Sequence, residues 1–394
     1  MESKYAKRMN NIKPSEIGEL LKLAQRSDII SFAGGLPASE LFPIEELIAV
    51  AKEVLQTQGS KALQYGPAQG YLPLREAIGH RMEKVHVNVM ADNILVTNGS
   101  QQGLDFTGRM FIDKDDVILC ESPTYLGAID AYDFYSPKFV EIKTDKDGMD
   151  MEDLEAALKN YNNVKFIYVI PDFQNPSGRT WSVERRKMLI QLANKYDVYI
   201  IEDSPYGELI FEGEVTPAVM HYDTEERVIF LGTFSKLFCP GMRLGWVAAS
   251  AEVIQRLISL KQISDLQCST IGQMELAKYI EIYDLDAHIE KIKTVYKKRR
   301  DVMMSAIKEY FPKEVRYNYP DGGLFTWLIF PEYINARDLA LKAMEQNVAF
   351  VPGGLFFPNG GHENTARLNF SSMSEDKIIE GIKRLAIVIK NELK

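Results

Sequence analysis

The pattern that most restricts this chain is a series of short apolar runs, each followed by a polar or turn-forming residue. They cover residues 94–97, 117–120, 166–170, 198–201, 228–234 and 244–249. Most are separated by stretches of helical spacing, which predicts a parallel sheet covered by helices on both faces. Ligands of such sheets gather beyond the carboxyl ends of the strands, so the residues that follow each run are the ones to read for chemistry. Later runs at 323–330, 348–351 and 366–370, with helical segments on either side, predict a smaller α+β unit. Between the two sets, Ile289, Ile292, Val295, Tyr296, Val302, Met303 and Ile307 keep helical spacing and predict a long helix over 287–311. A chain of 394 residues, 46% of them hydrophobic, can bury two cores and leave a cleft between them.

Charge and cysteine usage exclude several classes of function. A net charge of -9 repels polyanions, and the one basic cluster, Lys297-Lys298-Arg299-Arg300, falls within the long helix and reads as a solvated face. No nucleic-acid partner is expected. Cys120, Cys239 and Cys268 are too few and too scattered for a disulfide framework or a thiolate metal site, which suits the cytoplasm. No apolar run approaches membrane-spanning length, and the histidines show no helical pairing with a carboxylate, so neither a membrane nor a metal is expected.

Chemistry concentrates at the ends of the runs. Lys236 follows the run 228–234, with Arg243 seven residues on. A lysine desolvated by apolar walls loses its proton more easily, and its neutral amine condenses with a carbonyl. A neighbouring arginine grips a phosphate in a planar fork. A carbonyl compound that also carries a phosphate describes pyridoxal phosphate. Asp203, at the end of the run 198–201, would pair with a pyridinium nitrogen, and the turn Ser204-Pro205 would place Tyr206 beside it. Taken alone, Asp203 reads equally well as a cap on the next turn. Asn175 follows the run 166–170 within Gln174-Asn175-Pro176, first of all a turn signal, yet its amide is a donor for a phenolate oxygen. Gly99-Ser100-Gln101 follows the run 94–97 and opens a helix, whose free N–H groups would bind phosphate with Ser100 and Ser235 adding hydroxyls. Tyr125, after Ser122-Pro123-Thr124, offers an aromatic face, although a core tyrosine would look the same.

Together these residues resemble the class I aminotransferases of the fold type I pyridoxal-phosphate enzymes, from about Ser15 to Asn369. The resemblance implies an α/β architecture: a large cofactor domain with a mostly parallel central sheet flanked by helices (41–286), a smaller α+β domain (287–394), and an N-terminal segment (1–40) packing with the latter. It implies that Lys236 is in imine linkage with the cofactor, that Asp203 pairs with the pyridinium, and that Asn175 and Tyr206 approach the ring oxygen. Ser100, Gln101, Ser235 and Arg243 would hold the phosphate, with Tyr125 stacked on the ring. Arg367, in Ala366-Arg367-Leu368-Asn369, matches the arginine that grips the substrate α-carboxylate. Tyr65, in Tyr65-Gly66-Pro67, matches the tyrosine that reaches the phosphate of the other subunit, which implies a homodimer with shared sites. Ser31-Phe32-Ala33-Gly34-Gly35 is similar to the 2-aminoadipate and kynurenine aminotransferase branch, where the glycine pair, here including Gly35, lies over the substrate.

The activity implied is transfer of the amino group of an L-amino acid to a 2-oxoacid such as 2-oxoglutarate, with ping-pong kinetics. Several relatives that accept aminoadipate carry an arginine where this chain has Gly18, so aliphatic and aromatic donors are expected at least as much as 2-aminoadipate. Two alternatives use the same fold: a carbon–sulfur β-lyase with the same cofactor, and a non-catalytic aminotransferase-like regulator.

Overall fold

A computed structural model of the chain describes residues 4–6, 9 and 28–394. In chain order the strands are β1 (Ile30–Ser31), β2 (Ile94–Thr97), β3 (Val117–Ser122), β4 (Lys138–Asp145), β5 (Gly148–Met149), β6 (Val164–Val169) and β7 (Tyr199–Asp203). They continue with β8 (Val228–Thr233), β9 (Gly245–Ala248), β10 (Arg316–Tyr317), β11 (Phe325–Ile329), β12 (Val348–Ala349), β13 (Val351–Pro352) and β14 (Thr365–Asn369). The large sheet runs β2-β9-β8-β7-β6-β3-β4-β5. From β8 to β4 every neighbouring pair is parallel. The central strands are buried along most of their length, as expected of a sheet sandwiched between helices.

Two features of this sheet depart from the expected series. β9 runs antiparallel to both β2 and β8, because the 11 residues between β8 and β9, 234–244, hold a short 3-10 turn instead of a crossover helix. β4 is absent from the apolar runs, since near the sheet's edge only Ile142 of its eight residues is fully buried. Lys138, Glu141, Lys143 and Thr144 interrupt the apolar signal along it.

The second sheet, β10-β11-β14-β13, is antiparallel and lies beside the long helix Leu285–Tyr310. The run at 348–351 splits between two sheets: Val348–Ala349 pairs with β1, while Val351–Pro352 joins the second sheet. The N-terminal part is thereby stitched to the C-terminal one. Phe32 N–H donates to Ala349 O (2.8 Å), Asn369 N–H donates to Phe32 O (2.8 Å), and Ala38 N–H donates to the Tyr296 hydroxyl (2.9 Å). These bonds fix the backbone around Gly35.

The basic cluster on the long helix is only half solvated. Arg299 and Arg300 are buried, Arg299 paired with Glu40, and Arg300 with Glu212 and Asp301. Helical spacing turns two of the four cations toward the protein, where carboxylates offset the cost of burying them. Among the described residues, no helix is long and apolar enough to cross a membrane, and no group of three or more His, Cys, Asp or Glu could hold a metal ion. All three cysteines are free and buried.

Candidate active site

The carboxyl ends of β2, β3, β6, β7 and β8 converge on a cavity of about 520 Å³. Gly35, Ser100, Gln101, Tyr125, Asn175, Asp203, Tyr206, Ser235, Lys236, Arg243 and Arg367 all line it. The sequence expectation thus meets in one place, with one exception. Tyr65 stands outside, 77% exposed, in the loop before the helix Leu72–Met82. Gly18 and its neighbours Pro14 to Glu19 lie outside the described residues.

Lys236 follows β8 and its Nζ donates to Gly35 O (2.8 Å). Burial, then the nearby Arg367 and Arg243 charges, pull its pKa down to about 8 from an ordinary 10.5. The amine is therefore available as a nucleophile and base near neutral pH. Asp203, the last residue of β7, accepts from the Tyr168 hydroxyl at Oδ2 (2.9 Å). Burial raises its carboxyl to about 7, and the Tyr168 bond offsets only part of that. Its Oδ1 is buried and has no hydrogen-bond partner among the described residues. A buried orphan acceptor costs free energy unless a donor or a cation reaches it.

Arg243 adopts a left-handed backbone (φ 53°), and its guanidinium meets Ser235 Oγ (3.4 Å) and Asn98 O (3.1 Å). Gly99 caps the helix Ser100–Phe111 at φ 73°, and a Cβ there would come within 2.5 Å of Arg243 Nη2. Only glycine lets the arginine fork sit against the helix's positive end. Thr233 Oγ1 orients Ser235 Oγ (3.0 Å) on the same wall.

Arg367, on β14, is buried, and among the described residues no carboxylate hydrogen-bonds to it. Nη1 donates to Asn175 Oδ1 (2.7 Å) and Nη2 to Ala33 O (2.6 Å). Its guanidinium carbon lies 4.3 Å from the Phe325 ring centre and 5.1 Å from that of Phe356. Burial lowers its pKa to about 10. Carbonyl oxygens and ring faces stabilise the cation without neutralising it, so its charge remains available to an anion. Because Asn175 Oδ1 faces Arg367, its amide N–H₂ is the end left to donate elsewhere. Tyr206 hydrogen-bonds with Asn175, and burial raises its phenol well above the ordinary value. Burial, helped by Asp203, pushes Tyr125 up to about 12, so both tyrosines are neutral donors.

Tyr168, Thr233, Phe325 and Phe356 are missing from the sequence reading. None follows a strand with a polar signature; each acquires its role through contacts across the sheet or between the two sheets, which sequence spacing does not display.

Residues 27–385 match the family described as Aminotransferase class I and II. An aromatic-amino-acid aminotransferase of Thermococcus litoralis is 46% identical over 398 residues, spanning 100% of this chain and 95% of that relative. A 2-aminoadipate transaminase of Thermus thermophilus is 39% identical over 392 residues, spanning 99% and 97%. The solved structure of Pyrococcus horikoshii kynurenine aminotransferase superposes with a TM-score of 0.95 at 42% identity, covering 99% of this chain and 98% of that one. The chain belongs to the class I and II aminotransferases. It is a pyridoxal-phosphate-dependent enzyme that moves an amino group between an amino acid and a 2-oxoacid. The residues present fit that cofactor: the orphaned Asp203 Oδ1 is an acceptor for a protonated ring nitrogen, and the Gly99–Arg243 cradle, which a Cβ would fill, suits a phosphate.

Proposed function

We propose that Asp203, Lys236, Arg243 and Arg367 divide the cavity between cofactor and substrate. Asp203 would accept from the ring nitrogen; Asn175 and Tyr206 would donate to the ring oxygen, and Tyr125 would lie against the ring. Arg243, Ser235, Ser100 and Gln101 would hold the phosphate, and Arg367 with Gly35 the amino acid. When bound, the cofactor supplies a carbonyl for the amino group and an electron-poor ring that takes up the charge left on the substrate α-carbon. Lys236 Nζ removes the α-proton and returns a proton later in the transfer. Arg367 fixes the α-carboxylate, and hence the direction of the α C–H bond, by a bidentate fork. The orphaned Asp203 Oδ1 carries this reading.

The preferred donors are aromatic and aliphatic amino acids together with 2-aminoadipate, and 2-oxoglutarate is an acceptor. The uncharged Tyr125, Leu126 and Phe356 on the cavity wall support the apolar donors, as do the names of the relatives. The test is to mix the yellow holoenzyme with single amino acids and follow bleaching of the cofactor band. Fast bleaching by phenylalanine or tyrosine is expected; no change with any amino acid would contradict the proposal.

The chain divides as an N-terminal segment to residue 40, a cofactor domain over 41–286 and a small domain from 287. It works as a cytoplasmic homodimer in which Tyr65 of a second copy completes the phosphate site. Exposed Ile44, Ile48, Leu55, Leu63 and Leu72, on and beside the helix Ile44–Ala62 near Tyr65, support a covered face there. The three free cysteines support a reducing compartment.

Two outcomes follow. Because only the neutral amine attacks a carbonyl, cofactor capture by the stripped protein should quicken about tenfold per pH unit below the Lys236 pKa and level off above about 8. Stopped-flow absorbance on mixing with pyridoxal phosphate reads this, and a rate still climbing toward 10.5 would contradict it. For Arg367→Gln, the KM of the amino acid should rise roughly 10- to 100-fold, the worth of a charge-assisted hydrogen bond. Steady-state kinetics with an unchanged KM would remove Arg367 from substrate binding.

A further inference from the structure

Behind the phosphate cradle lies a charged pair that catalysis does not explain. Lys261, in the helix Ala251–Ser264, is fully buried. Its Nζ donates to Asp265 Oδ2 (2.8 Å) and to Gln102 Oε1 (2.7 Å). The same Asp265 oxygen accepts from Asn98 Nδ2 (2.7 Å) and Gln102 Nε2 (2.8 Å). Gln102 Oε1 also accepts from Asn98 N–H (3.0 Å), and Asn98 O accepts from Arg243 Nη2 (3.1 Å). Asn98 and Gln102 bracket Gly99, Ser100 and Gln101, so the first turn of the helix Ser100–Phe111 is held at both ends from a single ion pair.

Burying a lysine costs free energy, and a carboxylate this close to a phosphate site repels the phosphate unless a cation offsets it. Lys261 does both jobs. It cancels the Asp265 charge and leaves the carboxylate as an acceptor that locks Asn98 and Gln102 in place. We propose that Lys261 and Asp265 are positioning residues for the cofactor phosphate: they preorganise the turn 98–102 and set the affinity for the phosphorylated cofactor. This rests on the reading that Ser100, Gln101 and Arg243 hold that phosphate.

The experiment compares pyridoxal phosphate with pyridoxal, which lacks the phosphate, as ligands of the stripped protein, by absorbance titration. For Lys261→Met the dissociation constant of pyridoxal phosphate should rise about 10- to 100-fold, as when hydrogen bonds that orient ligand-holding groups are lost at other sites. The constant for pyridoxal should stay within about twofold, because without a phosphate the turn contributes little. The double variant Lys261→Met/Asp265→Asn guards against misfolding and should recover part of the loss, since the uncompensated carboxylate is gone. Lys261→Arg should recover more than half of the lost affinity on a logarithmic scale. An equal loss for both ligands, or no loss for pyridoxal phosphate, overturns the proposal. If the unmodified protein binds both ligands equally, the phosphate-cradle reading itself fails.

Discussion

Lys236→Ala is expected to abolish turnover, lowering kcat by at least about 10⁴-fold, the upper range for loss of a positioned proton-transfer group. The side chain is irreplaceable because one atom, Nζ, serves as nucleophile toward the cofactor and as base toward the substrate. The substitution breaks the Nζ hydrogen bond to Gly35 O (2.8 Å). Three cations crowd the cavity, and Arg367 and Arg243 are among the causes that lower the Lys236 pKa. Removing one relieves repulsion, so the thermal midpoint of the stripped protein should be unchanged or higher. Loss of activity together with a retained melting transition separates chemistry from folding. Appreciable activity in the variant would refute the role of Lys236.

Asp203→Asn is expected to slow transamination by about a hundredfold or more. The amide can still accept from the Tyr168 hydroxyl, so the local packing survives, but it brings no negative charge to the ring nitrogen. Each unit by which the carboxylate raises the ring's pKa is worth roughly 1.4 kcal/mol, and losing two units costs roughly 2.8 kcal/mol, about a hundredfold in rate. Burial holds the Asp203 carboxyl near 7 in the protein itself, so a cationic partner is what keeps it ionised at neutral pH. Single-turnover rates with a fast donor measure the effect on the chemical step. An unchanged rate would mean that Asp203 only supports the strand.

The existence of β6, β7 and β8 and the residues at their ends were legible because the signal is local. A buried parallel strand reads as an apolar run, and the polar residue that ends it stands out against that run. Lys236 and Asp203 stand out in this way, Asn175 by the turn that follows its run and Arg243 by its spacing from Lys236. β4 did not, since a strand next to the sheet's edge needs only a few buried side chains. The reversal of β9 depended on what the 11 residues after β8 do, and a lone 3-10 turn leaves no periodic trace. Tyr168 reaches Asp203 because β6 and β7 lie side by side, with Tyr168 opposite Ile201, a pairing set by sheet order. The clamp of Phe325 and Phe356 on Arg367 joins residues from β11, a 3-10 turn and β14. In sequence those two aromatics are indistinguishable from core residues. The half-burial of the basic cluster had the same origin, because helical spacing gives the faces of a helix but not what packs on each.

The central claim is that the Lys236 amine is the cofactor's point of attachment. The holoenzyme should be reduced with borohydride, digested, and its peptides sequenced by mass spectrometry. A phosphopyridoxyl group on Lys236, and on no other lysine, is the predicted result. An unmodified Lys236 peptide beside a labelled lysine elsewhere, or no labelled peptide from a yellow protein, would contradict it.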